Sequence, residues 1–530
     1  MHFDILIKKG LLADGSGASL YEADIGIAGD RIARIGDLAG KKAVEEIDAR
    51  GMVVAPGFVD IHGHSDYFIL IEPSAPNKLL QGVTTEIGGN CGYGAAPVSD
   101  DLNAERSVNL ERNFDLRPDW KTLSEYFARL EQVQPAINFG ILVGHNTVRA
   151  SVMGGSSEAP DDRQLAAMQD MIRSAMEEGA LGISTGLQYP PACFADTAEL
   201  AAVCGPVAQA GGFFATHMRS EGRMLLEAIE EVIEAAKNAR IRLEISHLKT
   251  SGPKNWDKIE DAIALIEAAQ SSGADVGCDR YPYTASFTGL SAVLPTWVFE
   301  GSREEYRKRL TETAVRARTR TEVIDNNGVE YLDRVVIAQT FSEETHRFEG
   351  LSVTEAARRE NKDAFDFLLD LLAGEASDPT AVYHTMSEEN MTRILGLPYS
   401  SIGSDSAVRA PSGPLASGKP HPRAYGTFPR MLRLVREKKI TSIEAAVHKM
   451  TAAPAQVARM NQRGRLLMGR FADIVVFDPD KVTDTSTYDD PHQFPKGIEY
   501  VIVNGVIAAR AGEVTGARAG KIVRSSEYEV

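Results

Sequence analysis

Eight short apolar runs are separated by Ala-, Glu- and Leu-rich stretches long enough to form helices. This alternation restricts the chain to repeated βα units around a parallel sheet. The runs are MVVAPGFVD, VTTEIGG, NFGILVGH, LGISTG, FFATH, LEISH, ADVGCD and SSIGSD, and DRQLAAMQDMIRSAMEEGA and LLEAIEEVIEAAKNA represent the stretches between them. Eight parallel strands close most economically into an α/β fold of the (β/α)8, TIM-like barrel type, expected over residues 55–467. The polar stretch 284–378 between the last two runs is too long for a simple loop and predicts a small helical insertion. Both flanks have a different texture. FDILIKKGLLADGSG and ADIGIAGDRIARIG alternate apolar with polar residues, as do ADIVVFDPDKV and GIEYVIVNGVIAARAGEVTG with its Asn504–Gly505 turn. Residues 1–54 and 468–525 are therefore expected to complete one β-sandwich together.

Charge and composition narrow the partners. The 57 basic and 74 acidic side chains leave a net charge of −17, which repels nucleic acid backbones and anionic membranes. No apolar run approaches the roughly 18 residues that span a bilayer. The opening MHFDILIKKG lacks the basic and apolar regions of a secretion signal, so a cytoplasmic protein acting on a small molecule is expected. The four cysteines are too scattered for a disulfide framework, and none forms a CxxC pair. Oligomeric state is not legible.

Barrel enzymes carry their chemistry where strands end, at the C-terminal face. The first run continues into FVDIHGHSD, where His62 and His64 lie two apart and the period of a strand turns both imidazoles to one side, as a divalent metal requires. His217 and His247 each close an apolar run in FFATH and LEISH, which makes a metal site shared with His62 and His64 the better reading than isolated structural histidines. Asp405, in SIGSDS, stands at the same rim, where a carboxylate can serve as general base and then general acid.

These residues together resemble the amidohydrolase superfamily. GVTTEIGGNCGYGAAP, GISTGLQYPP, THMRSEG, ISHLKTSG, DRYPYTAS, SIGSDS and HPRAYGTFPR are similar to the D-aminoacylase branch, the N-acyl-D-amino-acid deacylases, over nearly the whole chain. The resemblance implies zinc-dependent hydrolysis of the amide of an N-acyl-D-amino acid to a carboxylate and a free D-amino acid, with Asp405 moving the proton. It implies one zinc held tightly by Cys91, His217 and His247, and a weaker second position faced by His62, His64 and Asp405. A thiolate is a chemically sensible ligand because a metal lowers the thiol pKa. The resemblance also assigns the substrate α-carboxylate to Lys249 with Tyr281, for which Tyr283 is a rival, and sets Tyr189 near the scissile group. Relatives that prefer acidic side chains carry an arginine in the loop after the seventh strand. Here TASFTGLSAVLPTWVFEG has none, which favours neutral or hydrophobic side chains against Leu290, Leu294 and Trp297, unless Arg219, Arg280, Arg409 or Arg423 reaches in from elsewhere.

Two other readings share the fold. A cyclic-amide hydrolase of the hydantoinase or dihydroorotase type would carry a metal-bridging lysine at the end of the fourth run, and LGISTGLQYPP has none. An inactive scaffold would be expected to have lost ligands, and His62, His64, Cys91, His217, His247 and Asp405 are all present.

Overall fold

The computed structural model describes residues 2–525; Met1, the first residue of the predicted 1–54 unit, lies outside them. All eight apolar runs contain strands. In chain order these are β1 (Phe58–Asp60), β2 (Val83–Gly88), β3 (Asn138–Ile141, continued by Val143–Gly144), β4 (Gly182–Gly186), β5 (Phe213–His217), β6 (Arg242–Ile245), β7 (Val276–Arg280) and β8 (Ser400–Ile402). Each pairs in parallel with the next: β3 meets β2 through Asn138–Ile141 and β4 through Val143 and Gly144. A parallel bridge between Gly63 and Ser406 closes β8 onto β1. The strands read as near-continuous apolar runs because both faces are covered, by the barrel interior on one side and helices on the other.

The helices are built to cover that outer face. Helix Leu225–Ala239 turns Leu225, Ile229, Val232, Ile233 and Ala236 inward and ends on Arg240 in the left-handed region. Each buried Leu or Ile stabilises the fold by roughly 1.5–3 kcal/mol. Asp161 opens helix Asp162–Glu177 with a capping box closed by Gln164.

The chain's two flanks share one nine-stranded sheet. Val53–Pro56 pairs antiparallel with Ile474–Phe477, which continues through Ile498–Val503 and Val506–Arg510. Strand Phe3–Leu12 divides one edge between two partners, Ala43–Asp48 along its first half and Val53–Val54 at its end, and on its other edge pairs antiparallel with Tyr21–Ala28, with a register shift between Ile7 and Gly10. Ile5, Ile7, Ile25, Ile47, Ile474 and Ile502 fill the core this sheet encloses.

The stretch between β7 and β8 is not purely helical, as the sequence had suggested. Four helices, Arg303–Arg309, Thr313–Asn327, Val353–Arg359 and Ala364–Gly374, pack beside a three-stranded antiparallel sheet of Ser286–Gly289, Thr380–Tyr383 and Val335–Gln339. This unit has its own apolar core, which includes Leu290, Val298, Ile337, Leu368 and Phe367.

Candidate active site

The floor of the site is a buried ionic cluster. Lys78 Nζ lies 2.7 Å from Asp60 Oδ2 and 3.3 Å from Glu86 Oε2, and all three side chains are fully buried. Burial, opposed by Lys78, pushes the Glu86 carboxyl up to about 7. Asp60 Oδ1 accepts from the backbone N–H of Ser404 at 2.8 Å, which ties the end of β1 to the end of β8. The glycine between His62 and His64 is required here: a Cβ on Gly63 would lie 2.0 Å from Glu86 Oε1. The backbone stays paired past the strand end, through Gly63 N to Ile87 O (2.9 Å) and His64 N to Ser406 O (3.1 Å).

Above this floor, the donor atoms of His62, Cys91, His247 and Asp405 all lie within 4.8 Å of one another and are buried. Cys91 Sγ is 3.3 Å from His62 Nε2 and 3.5 Å from His247 Nε2. His62 Nε2 is 3.6 Å from Asp405 Oδ1, and His64 Nε2 is 3.0 Å from the same oxygen. A second group, His217, Glu221 and His247, adjoins the first. The two groups share His247: His62 and Asp405 stand with it and Cys91, and His217, which stands with it and Glu221, is also within hydrogen-bond reach of Cys91.

In His62 and His247 the Nδ1 atoms are committed in a way that leaves the Nε2 lone pairs for a metal. His62 Nδ1 lies 2.9 Å from Asp279 Oδ2 and so carries the proton. Asp279 Oδ1 also accepts from His247 N at 2.9 Å, so one carboxylate fixes two of the histidines. His247 Nδ1 lies 2.8 Å from Glu221 Oε1. His217 Nε2 meets Gln188 Oε1 at 2.9 Å, and its Nδ1 is buried without a hydrogen-bond partner among the described residues. A thiol, several imidazoles and a carboxylate facing one another, each histidine backed by a hydrogen bond or left with an orphaned nitrogen, fit a divalent zinc ion.

Backbone strain concentrates at the same residues. Cys91, His247 and Asp405 have φ of 52°, 38° and 49°, the left-handed region that side chains other than glycine rarely occupy. Each such residue costs of order 1–3 kcal/mol and persists only where its surroundings hold it. The Cys91 turn is held by Asn90 Nδ2, which donates to Ile87 O at 3.0 Å, and the Asp405 turn by its own N–H donating to His62 O at 2.8 Å.

Charge is tightly coupled in this cluster. Burial opposes ionisation of Cys91, yet the His62 and His247 rings bring its thiol well below the usual range. Burial likewise opposes the Asp405 carboxylate, but Arg423, His247 and His62 hold it well below an ordinary carboxyl. His64 is driven the other way: burial disfavours its cation, and the bond to Asp405 together with Cys91 raises it to about 9.

The cluster opens into a cavity of about 1600 Å³ between the barrel rim and the inserted unit. Lys249 lines it, with its ammonium on Glu221 and 2.8 Å from His247 Nδ1. Tyr189 lines it too, with its ring 4.7 Å from that of His217 and its hydroxyl 2.9 Å from Thr288 Oγ1. Tyr281 and Tyr283, expected to contact substrate, are not in this wall. Tyr281 is buried between the guanidinium groups of Arg280 (4.4 Å) and Arg423 (4.5 Å), and Tyr283 donates to Pro422 O at 3.4 Å beneath Arg430. Leu290 is buried in the inserted core, whereas Leu294 and Trp297 face the cavity.

Of the four arginines that could reach in, Arg280 is buried behind Tyr281, while Arg219, Arg409 and Arg423 line the cavity, Arg219 with its guanidinium taken up by Glu231 and two carbonyls. Arg423 Nη1 forms an ion pair of 2.8 Å with Asp405 Oδ2. The preceding His421 accepts from Arg423 N at 2.9 Å and donates to Ala285 O at 3.0 Å, which pins the start of that helix. His145 lies off the cavity, bonded to Glu199 with Arg149. Sequence reasoning missed Glu221 and Asp279. Asp279 ends β7 as Asp405 follows β8, so the strand-end rule could have found it, whereas Glu221 gave no signal beyond lying four residues after His217.

Comparison with known proteins agrees with this geometry. The amidohydrolase family pattern matches residues 45–321 and 402–509. The chain is 35% identical to a D-aminoacylase of Alcaligenes xylosoxydans xylosoxydans, covering 98% of this chain and 97% of that protein. It is 36% identical to the N-acyl-D-glutamate deacylase of the same organism, over 95% and 93%. The crystal structure of N-acyl-D-glutamate deacylase from Bordetella bronchiseptica, complexed with zinc and a phosphonate mimic of the tetrahedral intermediate, superimposes with a TM-score of 0.83 at 33% identity, over 99% of this chain and all of that one. With its strand-end donors, its closed barrel and a likeness that runs almost from one end to the other, the chain belongs to the amidohydrolase family, in the group of the D-aminoacylases and N-acyl-D-amino-acid deacylases.

Proposed function

We propose that the protein hydrolyses the amide bond of N-acyl-D-amino acids in a zinc-dependent reaction, releasing a carboxylate and a free D-amino acid. The observation that carries this reading is the buried Cys–His–Asp cluster at the C-terminal rim, opening into a cavity that also presents Lys249 and Arg423.

His62, Cys91 and His247 would hold the tightly bound zinc and leave a position open for water, and His64, His217 and Asp405 flank it where a second, weaker ion would sit. Bound zinc supplies Lewis acidity for the amide carbonyl and acidifies the attacking water. Asp405 takes the proton from that water and returns it to the departing nitrogen, which must leave as a neutral amine. His64 and Arg423 hold the two carboxylate oxygens from opposite sides and orient it for both transfers. The substrate α-carboxylate lies between Lys249 and Arg423, whose Nε is buried without a hydrogen bond among the described residues. Tyr189 closes the wall beside the scissile group. Leu294 and Trp297 favour a neutral or hydrophobic side chain, and Tyr281 and Tyr283 support the cations from behind. The domain scheme follows the sequence division 1–54 with 468–525, 55–467 and 284–378, with the first bound moved to Pro56 and the last to Tyr383 so that no strand is cut. No helix among the described residues is long and apolar enough to cross a membrane. A cysteine that must stay reduced suits the cytoplasm.

Ninhydrin-reactive amine should be released from N-acetyl-D-amino acids with hydrophobic side chains and not from their L-enantiomers. Turnover confined to L-substrates or to cyclic amides would overturn the substrate class. Asp279→Asn should weaken zinc retention about 10–100-fold, since the amide no longer fixes the His62 proton on Nδ1. Competition against a chromophoric chelator reads this directly, and unchanged affinity would remove Asp279 from its supporting role.

A further inference from the structure

Arg409 is a buried cavity cation whose charge the reaction above leaves unused. It follows β8 by a short loop, is 9% exposed and lines the cavity. Its guanidinium makes no ion pair or hydrogen bond with any described residue, and its neighbour is the Phe68 ring, 5.7 Å away. Three nearby arginines have acceptors: Glu231 for Arg219, Tyr283 O for Arg280 and Asp405 for Arg423. An arginine cannot shed its proton, so a buried one lacking a counter-charge is costly until an anion arrives.

Nor is Arg409 a loose rim residue. Its N–H donates to Asn77 Oδ1 at 2.9 Å, Asn77 Nδ2 donates to Ala407 O at 3.1 Å, and Val408 N donates to Ser65 Oγ at 2.7 Å. The loop is thereby stapled to the segment after β1. Lys249 follows β6, on the other side of Asp405 around the ring of strands. A linear amide with its reacting carbon at Asp405 and its α-carboxylate toward Lys249 then points its acyl group toward Arg409.

We propose that Arg409 is a specificity-determining residue that binds a second carboxylate at the far end of the acyl group, so that the preferred substrates are D-amino acids acylated by a short dicarboxylic acid. This rests on the deacylase reading and names its acyl class. The test is the kcat/KM of the zinc-loaded enzyme for N-succinyl- and N-acetyl-D-leucine, with N-acetyl-D-glutamate as a third arm, in the wild type and in Arg409→Met and Arg409→Lys. The wild type is expected to favour the succinyl substrate. Arg409→Met should lower the succinyl-to-acetyl ratio about thirtyfold, the contribution of a charge-assisted contact, mainly through KM, with Arg409→Lys recovering part of it. A wild-type ratio at or below one, an equal loss on both leucine substrates, or a loss confined to N-acetyl-D-glutamate would overturn the proposal. If no N-acyl-D-amino acid is turned over at all, it is the deacylase reading that fails. If turnover is intact but the ratio does not respond to the substitution, this inference alone fails.

Discussion

Asp405→Asn should lower kcat by about a thousandfold or more, the scale of a lost general base, while zinc stays bound. The asparagine keeps the shape of the side chain and one oxygen that can face His64 or the metal, but it cannot accept the proton of the attacking water. The backbone bond from Asp405 N to His62 O is indifferent to the change, so the turn and its positive φ persist, while the 2.8 Å contact with Arg423 loses its ion pair. Zinc content by atomic absorption and kcat on N-acetyl-D-leucine, measured on the same preparation, separate the two roles. A variant that retains zinc and more than about a tenth of the activity would exclude Asp405 as the proton carrier.

The second large effect is expected from Cys91→Ala. Cys91 Sγ is in contact range of both His62 Nε2 and His247 Nε2, and its thiol is the member of the cluster most strongly pushed toward its anion by its neighbours. Without it the site keeps imidazoles and a carboxylate but loses its soft, negatively charged ligand. Zinc should be lost on dialysis, with affinity down about 100-fold or more and activity falling in step. The side chain removed is small, so the circular dichroism spectrum should be unchanged. Full zinc stoichiometry and undiminished turnover would show that the thiolate is not a ligand.

The barrel was legible because a strand covered on both faces must be apolar throughout, and eight such runs stand out from the polar connections. The strand-end rule then found His62, His64, His217, His247 and Asp405. Cys91 was found only by resemblance, since a lone cysteine in GGNCGYG has the ordinary look of a small buried residue. The inserted sheet escaped notice because Ser286–Gly289, Val335–Gln339 and Thr380–Tyr383 are short and far apart in sequence. Their pairing is a long-range fact that no local pattern records. Tyr281 and Tyr283 stand behind the cavity wall for a related reason: chain direction past the end of β7 decides whether a side chain faces the cavity or the wall behind it. Glu221 and Asp279 act through the far nitrogens of His247 and His62, and second partners of that kind become visible only when the rings have positions.

The sheet shared by the two flanks also has a consequence for how the protein is made. On a ribosome adding about 5–20 residues per second, the strand Val53–Pro56 would wait roughly 20–80 s before Ile474–Phe477 emerges to pair with it. Throughout that interval the entire barrel is being synthesised beside an apolar β-edge with no neighbour, an open template for association with other nascent chains. The strands made after the barrel therefore act as a covalently attached, late-arriving chaperone for those made before it. Expression at lower temperature, or with holdases in excess, should raise the soluble yield of this protein more than that of a barrel whose flanking sheet is complete before the barrel begins.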